Sequence, residues 1–171
     1  MPAGLGGRLA TKQAIESIHE KSLFLLMGGM KIPQRVFAGD ASDEVLAFAF
    51  IAFFSGGKLY APDITCSFYP VWASLFGAEY RTIPLTAGFD VCADDYLRLD
   101  GGVIFANPNA PTGKLLSLRE AERIVGANPN RVVIIDEAYI DFAPEGSSAV
   151  PLTDKYSNLL VTQTASKGNT E

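Results

Sequence analysis

Short apolar runs separated by polar turns set the pattern of this chain. The most pronounced run covers residues 132–135 and leads directly into Asp136. A continuous β-branched run of this length is typical of a strand that is covered on both faces of a parallel sheet. Four other runs are predicted as strands of the same sheet: residues 58–61, 79–84, 103–106 and 158–164.

Helical periodicity or helix signals occupy the segments between these strands. Residues 44–54 are almost entirely apolar, which predicts a helix that is buried on most sides. Ser117 and Glu120 have the spacing of a capping box and predict the start of a helix over residues 117–125. Residues 11–27 and 68–76 are predicted as helices, and a shorter helix is expected within residues 90–99.

This alternation of strands and helices predicts an α/β fold, with a mostly parallel central sheet between two helical layers. The chain has 171 residues, of which 48% are hydrophobic, enough for one domain with its own core. We therefore interpret residues 1–171 as a single three-layer α/β/α domain. Residues 1–10 are rich in glycine and are expected to form a flexible tail.

Charge and cysteine content exclude several classes of protein. The net charge of −5 gives no basic surface for nucleic acid. Two cysteines, Cys66 and Cys92, do not make a disulfide framework and suit a reducing cytoplasm. No apolar run is long enough to span a bilayer, and no signal peptide is recognised. The acidic residues of segment 90–100 are expected to be solvated, so no metal site is predicted.

Polar residues with possible chemistry follow three of the predicted strands. Asp136 and Tyr139 follow one, the loop 107–113 follows another, and residues 165–167 follow the third. Since ligands of open α/β sheets bind beyond the carboxyl ends of the strands, these groups are expected to converge. For Asp136 alone, a role as a simple strand-end cap is equally favoured.

Five motifs occur in an order that resembles one known family. They read FAGDASDE from residue 37, PDITCSFYP from residue 62, NPNAPTG from residue 107, DEAY from residue 136 and TASK from residue 164. Together they resemble the large domain of the fold type I enzymes that use pyridoxal 5′-phosphate, and within these the histidinol-phosphate aminotransferases. The resemblance implies a cytoplasmic homodimer that acts on small amino and keto acids. The implied reaction, in histidine biosynthesis, converts histidinol phosphate and 2-oxoglutarate to imidazole-acetol phosphate and glutamate.

The resemblance also implies roles for individual residues. Lys167 would form the Schiff base with the cofactor, Asp136 would hold the proton on its ring nitrogen, and Tyr139 would donate to its phenolic oxygen. Four residues are implied as contacts of the cofactor phosphate: Ala41, Ser42, Thr164 and Ser166.

Three positions depart from the family pattern. Ala41 stands where the family usually has glycine. Cys66 stands where the family commonly has an aromatic residue that stacks on the ring, so either Tyr69 or Phe68 covers the ring or cofactor binding is weakened. Ala110 replaces the asparagine that bonds the phenolic oxygen. Either Asn109 or Asn107 takes this role, or the bond is not made.

The end of the sequence leaves alternatives open. Four residues follow Lys167, whereas the resembling enzymes continue into a small C-terminal domain that carries substrate-binding arginines. The chain is therefore expected to be truncated and, as it stands, to be of uncertain activity. The alternatives are a related enzyme, such as a threonine-phosphate decarboxylase or another class I/II aminotransferase, or a catalytically dead folding or dimerisation module. A dinucleotide-binding domain is disfavoured because no G-x-G-x-x-G motif follows the first strand.

Overall fold

The structure is a computed structural model that describes residues 36–37, 39 and 42–164. The helix predicted over residues 11–27 lies outside this part of the chain. The same holds for three predicted site residues, Ala41, Ser166 and Lys167, while Ser42 enters only as the first residue of a helix.

Within residues 42–164, five parallel strands form the central sheet. Each overlaps a strand predicted from the sequence, and they are β1 (Lys58–Pro62), β2 (Glu79–Ile83), β3 (Gly102–Ala106), β4 (Val133–Asp136) and β5 (Leu159–Thr162). Their order across the sheet is β2-β1-β3-β4-β5, and every neighbouring pair is parallel. The chain runs outward from β1 to β2 and then returns to the other side of β1. The strand order therefore reverses between β1 and β3, where open α/β sheets form a crevice.

The described part of the chain has three α-helices: α1 (Ser42–Phe53), α2 (Tyr69–Leu75) and α3 (Leu118–Ala127). α1 precedes β1, α2 connects β1 to β2, and α3 connects β3 to β4. The predicted cap of α3 is confirmed, since the Ser117 hydroxyl accepts the Glu120 backbone N–H at 3.3 Å. The helix expected within residues 90–99 is only a 3₁₀ helix, Ala93–Tyr96. Two more 3₁₀ helices, Ile140–Phe142 and Val150–Asp154, lie between β4 and β5.

The core consists of two apolar clusters, one on each face of the sheet. On one face, α1 and α2 pack against alternate strand residues such as Ile104 and Ile134. On the other face, α3 and the 3₁₀ helix Ala93–Tyr96 pack against their neighbours in the strands, such as Phe105 and Ile135. Because both faces are covered, β3 and β4 are apolar without alternation. The predicted three-layer α/β/α architecture is confirmed.

Neither a membrane span nor a metal cluster is found in the described residues. None of the helices there is long and apolar enough to cross a bilayer. The described residues also bring together no group of three or more side chains of the kinds that commonly bind metal ions.

The hydroxyl group of Tyr96 leads to a first prediction. Tyr96 is 1% exposed, packs edge-on against Phe105, and its hydroxyl has no hydrogen-bond partner among the described residues. A buried polar group without a partner opposes folding. We expect Tyr96→Phe to leave the free energy of unfolding in urea unchanged or to raise it by about 1 kcal/mol. A loss of stability in the variant would show that the hydroxyl is bonded.

Candidate active site

A cleft of about 340 Å³ opens at the carboxyl ends of β1, β3 and β4. This is the place where the strand order reverses, and its volume falls in the range of about 300–1,000 Å³ that small-molecule sites occupy. The described residues that line it come from the beginning of α1, from the last residues of β3 and β4, and from the loops after the three strands: Asp43, Leu46, Thr65, Cys66, Ser67, Ala106, Ala110, Pro111, Asp136, Ala138 and Tyr139.

The carboxylate of Asp136 contributes the buried acidic group of this cleft. Asp136 is the last residue of β4 and is 5% exposed. Its Oδ2 atom accepts a hydrogen bond from the Tyr69 hydroxyl at 2.7 Å. Its Oδ1 atom accepts from the Thr162 hydroxyl at 3.1 Å and from the Ala138 backbone N–H at 3.3 Å. The register of the sheet explains the contact with Thr162, because Asp136 and Thr162 are paired across β4 and β5.

Tyr69 was not predicted to be a partner of Asp136. It is the first residue of α2, its side chain is fully buried, and it lies 67 residues before Asp136. Burial, followed by the nearby charge of Asp136 and the hydrogen bond to it, raises the pKa of Tyr69 well above 10. The phenol therefore stays protonated and donates. Neither Tyr69 nor Phe68, the two expected covers of a ring, is among the residues that line the cleft.

Cys66 lines the cleft at the position where the family pattern has an aromatic residue. It follows β1 and is half-buried. Burial is the main reason that the pKa of its thiol is raised, and the charges of Asp136 and Asp43 raise it further. The group at this point of the wall is thus a neutral thiol near neutral pH, without the face of an aromatic ring.

The loop after β3 uses its asparagines to hold its own backbone. Asn109 is 2% exposed; its amide nitrogen donates to the Ile64 carbonyl at 2.9 Å and to the Thr112 hydroxyl at 3.1 Å. Its amide oxygen accepts from the Thr65 hydroxyl at 2.9 Å. The predicted contact of Asn109 with a cofactor would require one of these bonds to break.

Asn107, the other candidate in this loop, is bonded in the same way. Its side chain exchanges two hydrogen bonds with the backbone of Leu116, at 2.8 Å and 3.1 Å. At the cleft itself the loop presents Ala110 and Pro111.

The remaining predicted residues are only partly brought together. Tyr139 lies at the rim of the cleft and is 37% exposed. Thr164 follows β5 and is half-buried, and it is not among the residues that line the cleft. None of the described lining residues is basic. The structure therefore unites Asp136, Tyr139 and Cys66.

Glu137, next to Asp136, does not line the cleft but binds the segments before and after β5. It is 1% exposed and accepts hydrogen bonds from the Ser148 hydroxyl at 2.7 Å, the Ala149 backbone N–H at 2.6 Å and the Gln163 amide at 2.8 Å. The sequence analysis assigned it no role. Successive side chains of a strand point to opposite faces of the sheet, so the adjacent Asp136 and Glu137 must face different sides. This alternation is the sequence signal that distinguishes their roles.

In chemical terms the cleft has a buried, hydrogen-bonded carboxylate inside and a phenol at its rim. Such a carboxylate can hold a proton on a basic ring nitrogen of a ligand, because the ion pair is formed away from bulk water. The phenol can donate to an oxygen of the same ligand.

Comparison with curated proteins finds close relatives over most of the chain. The chain is 54% identical over 138 residues to histidinol-phosphate aminotransferase 2 of Thiobacillus denitrificans, which covers 80% of this chain. It is also 54% identical over 136 residues to histidinol-phosphate aminotransferase of Pseudomonas syringae pv. syringae, which covers 79% of it. The match includes only 38% of the length of each relative.

Solved structures show the same fold. The histidinol-phosphate aminotransferase of Clostridium acetobutylicum superposes with a TM-score of 0.69 at 22% identity, over 92% of this chain and 45% of that one. An aminotransferase from Mycobacterium tuberculosis superposes with a TM-score of 0.70 at 22% identity, over 98% of this chain and 50% of that one. The sequence profile of aminotransferase class I and II matches residues 20–168. Since this match covers most of the chain, the protein belongs to the class I and II aminotransferases.

Proposed function

We propose that this chain is the cofactor-binding part of an aminotransferase that uses pyridoxal 5′-phosphate. The observation that carries the proposal is the buried Asp136 carboxylate, held at the cleft where the strand order reverses. The proposed substrates are histidinol phosphate and 2-oxoglutarate, in line with the names of the relatives at 54% identity. A homodimer in the cytoplasm belongs to the same proposal through the resemblance.

The described residues fit one end of this cofactor. Asp136 would hold a proton on the ring nitrogen, and Tyr139 would donate to the phenolic oxygen. The beginning of α1 contributes Asp43 and Leu46 to the cleft, and backbone N–H groups at the start of a helix are a common binding place for a phosphate group. Cys66 fits less well, because a thiol covers less of a ring than an aromatic side chain does.

When bound, the cofactor supplies an electron-accepting ring that stabilises negative charge beside an amine nitrogen. In this proposal, Asp136 keeps the ring nitrogen protonated and Tyr139 orients the ring. Lys167 would bind the cofactor covalently and move protons, while Ala41, Ser42, Thr164 and Ser166 would contact the phosphate. These assignments remain predictions from the resemblance.

A single-turnover assay tests the proposal. The chain is loaded with pyridoxal 5′-phosphate, mixed with glutamate, and the 2-oxoglutarate formed is counted per chain. We expect up to one equivalent, and formation of histidinol phosphate when imidazole-acetol phosphate is then added. Lys167→Ala is the matched control and should form neither. A loaded chain that forms neither product would contradict the assigned reaction.

One observation favours a second candidate, a folding or dimerisation module that has lost catalysis. Cys66 and Ala110 line the cleft where the family pattern has a stacking ring and a bonding amide. Both replacements remove contacts with the cofactor. In this case the chain would fold cooperatively in urea and show no saturable binding of pyridoxal 5′-phosphate, which separates it from the first candidate.

A further inference from the structure

We propose that Tyr69 is a positioning residue that, together with Thr162, fixes the carboxylate of Asp136 in the orientation that meets a ring nitrogen in the cleft. The inference rests on the proposed function, since it concerns the group that would hold the cofactor ring. It gives a role to the hydroxyl groups of Tyr69 and Thr162, neither of which lines the cleft.

The geometry holds each carboxylate oxygen separately. The Tyr69 hydroxyl donates to Oδ2 at 2.7 Å, and the Thr162 hydroxyl donates to Oδ1 at 3.1 Å. These donors belong to different elements, α2 and β5, while the carboxylate belongs to β4. A rotation of the carboxylate about its Cβ–Cγ bond would break both contacts, so its plane is fixed.

The phenol that donates to Oδ2 is itself immobilised. Tyr69 is fully buried, and its ring lies 6.3 Å from the ring of Phe50 and 6.5 Å from that of Trp72, measured between centroids. Phe50 belongs to α1 and Trp72 to α2, so two helices fix the position of the hydroxyl. A buried phenol that cannot ionise at neutral pH has one role toward a carboxylate, which is to donate its proton in a hydrogen bond.

The electrostatic surroundings make these donors important. The titratable groups that line the cleft with Asp136 are the Asp43 carboxylate from α1, the Cys66 thiol from the loop after β1 and the Tyr139 phenol after β4. Asp43 carries a negative charge, and the described lining has no basic residue. Hydrogen bonds to a charged oxygen are stronger than those between neutral groups. The two hydroxyls thus favour the ionised carboxylate, the form that can hold a proton on a ligand.

The decisive experiment compares two ligands with the intact chain. Pyridoxal 5′-phosphate has the ring nitrogen, whereas its 1-deaza analogue has carbon there and cannot bond Asp136. We expect Tyr69→Phe to weaken binding of pyridoxal 5′-phosphate about tenfold and to leave binding of the analogue within about twofold. Thr162→Val should act in the same direction. Tyr80→Phe is the matched control, because Tyr80 is a half-buried tyrosine of the same core without a bond to Asp136.

A second readout needs no cofactor. Carbon-13 NMR of labelled aspartate carboxyl groups follows the titration of Asp136 in the chain alone. Loss of a donor to the ionised form should move the midpoint to higher pH in Tyr69→Phe and leave it unchanged in Tyr80→Phe.

The outcomes separate the inference from the proposed function. Equal weakening of both ligands in Tyr69→Phe, with an unchanged Asp136 titration, would overturn the inference and leave Tyr69 with a structural role. Failure of the unaltered chain to bind pyridoxal 5′-phosphate would instead overturn the proposed function. The titration would still decide whether Tyr69 holds the carboxylate, since an unmoved midpoint in Tyr69→Phe rejects it.

Discussion

Replacing Asp136 with asparagine is expected to weaken binding of pyridoxal 5′-phosphate by about 10- to 100-fold. Asparagine has nearly the same shape, but its single amide oxygen can accept from only one of the Tyr69 and Thr162 hydroxyls. The other hydroxyl meets the NH₂ group and can turn to accept from it, so the fold should survive. It has no charge, however, and cannot keep a proton on the ring nitrogen. The dissociation constant is measured by absorbance titration of the cofactor with the purified variant.

Asp141→Asn is the matched control for this change. Asp141 lies in the 3₁₀ helix Ile140–Phe142, directly after Tyr139, and its side chain is exposed. Its replacement therefore removes the same charge without changing the buried site. We expect its affinity for the cofactor to equal that of the unaltered chain. Similar affinity in Asp136→Asn would contradict the role of Asp136.

Replacing Glu137 with glutamine is expected to lower the free energy of unfolding by about 2–3 kcal/mol. Three donors converge on the buried Glu137 carboxylate, from Ser148, Ala149 and Gln163. Glutamine removes the charge and replaces one acceptor with an NH₂ group that faces these donors. The loss is measured as the shift of the urea midpoint at constant slope.

Glu145→Gln provides the comparison for this prediction. Glu145 lies between β4 and β5, three residues before Ser148, and is exposed. Its replacement should change the free energy of unfolding by no more than about 0.5 kcal/mol. Equal effects of the two changes would show that the Glu137 contacts do not stabilise the chain.

A further consequence concerns the end of β5. The Gln163 amide donates to Glu137, and Gln163 is the residue before Thr164, so Glu137→Gln should also loosen this segment.

Much of the fold follows from patterns that act locally. The apolar runs at β3 and β4 indicate strands covered on both faces, and the two core clusters show why such strands need no alternation. Ser117 is a cap because its hydroxyl reaches the N–H three residues later, a contact that depends only on neighbouring residues. Residues 90–99 were less predictable: polar and acidic residues there leave only a 3₁₀ helix, Ala93–Tyr96.

The site could be predicted only in part. The motifs indicated Asp136, Tyr139 and Cys66, which share the cleft because the carboxyl ends of parallel strands meet at one edge. No local pattern connects Tyr69 with Asp136, since their contact arises from the packing of α2 on the sheet. Asn109 shows the reverse difficulty, because a motif names the residue but the loop's own hydrogen bonds use its amide.

The most direct test of the central claim is to find which lysine binds the cofactor. The chain is incubated with pyridoxal 5′-phosphate, reduced with borohydride, digested and analysed by peptide mass spectrometry. The account predicts stoichiometric label at Lys167, and much less of it when Asp136 is replaced with alanine. Label scattered over surface lysines, with Lys167 no more modified than the others, would contradict the claim that this chain forms a cofactor site.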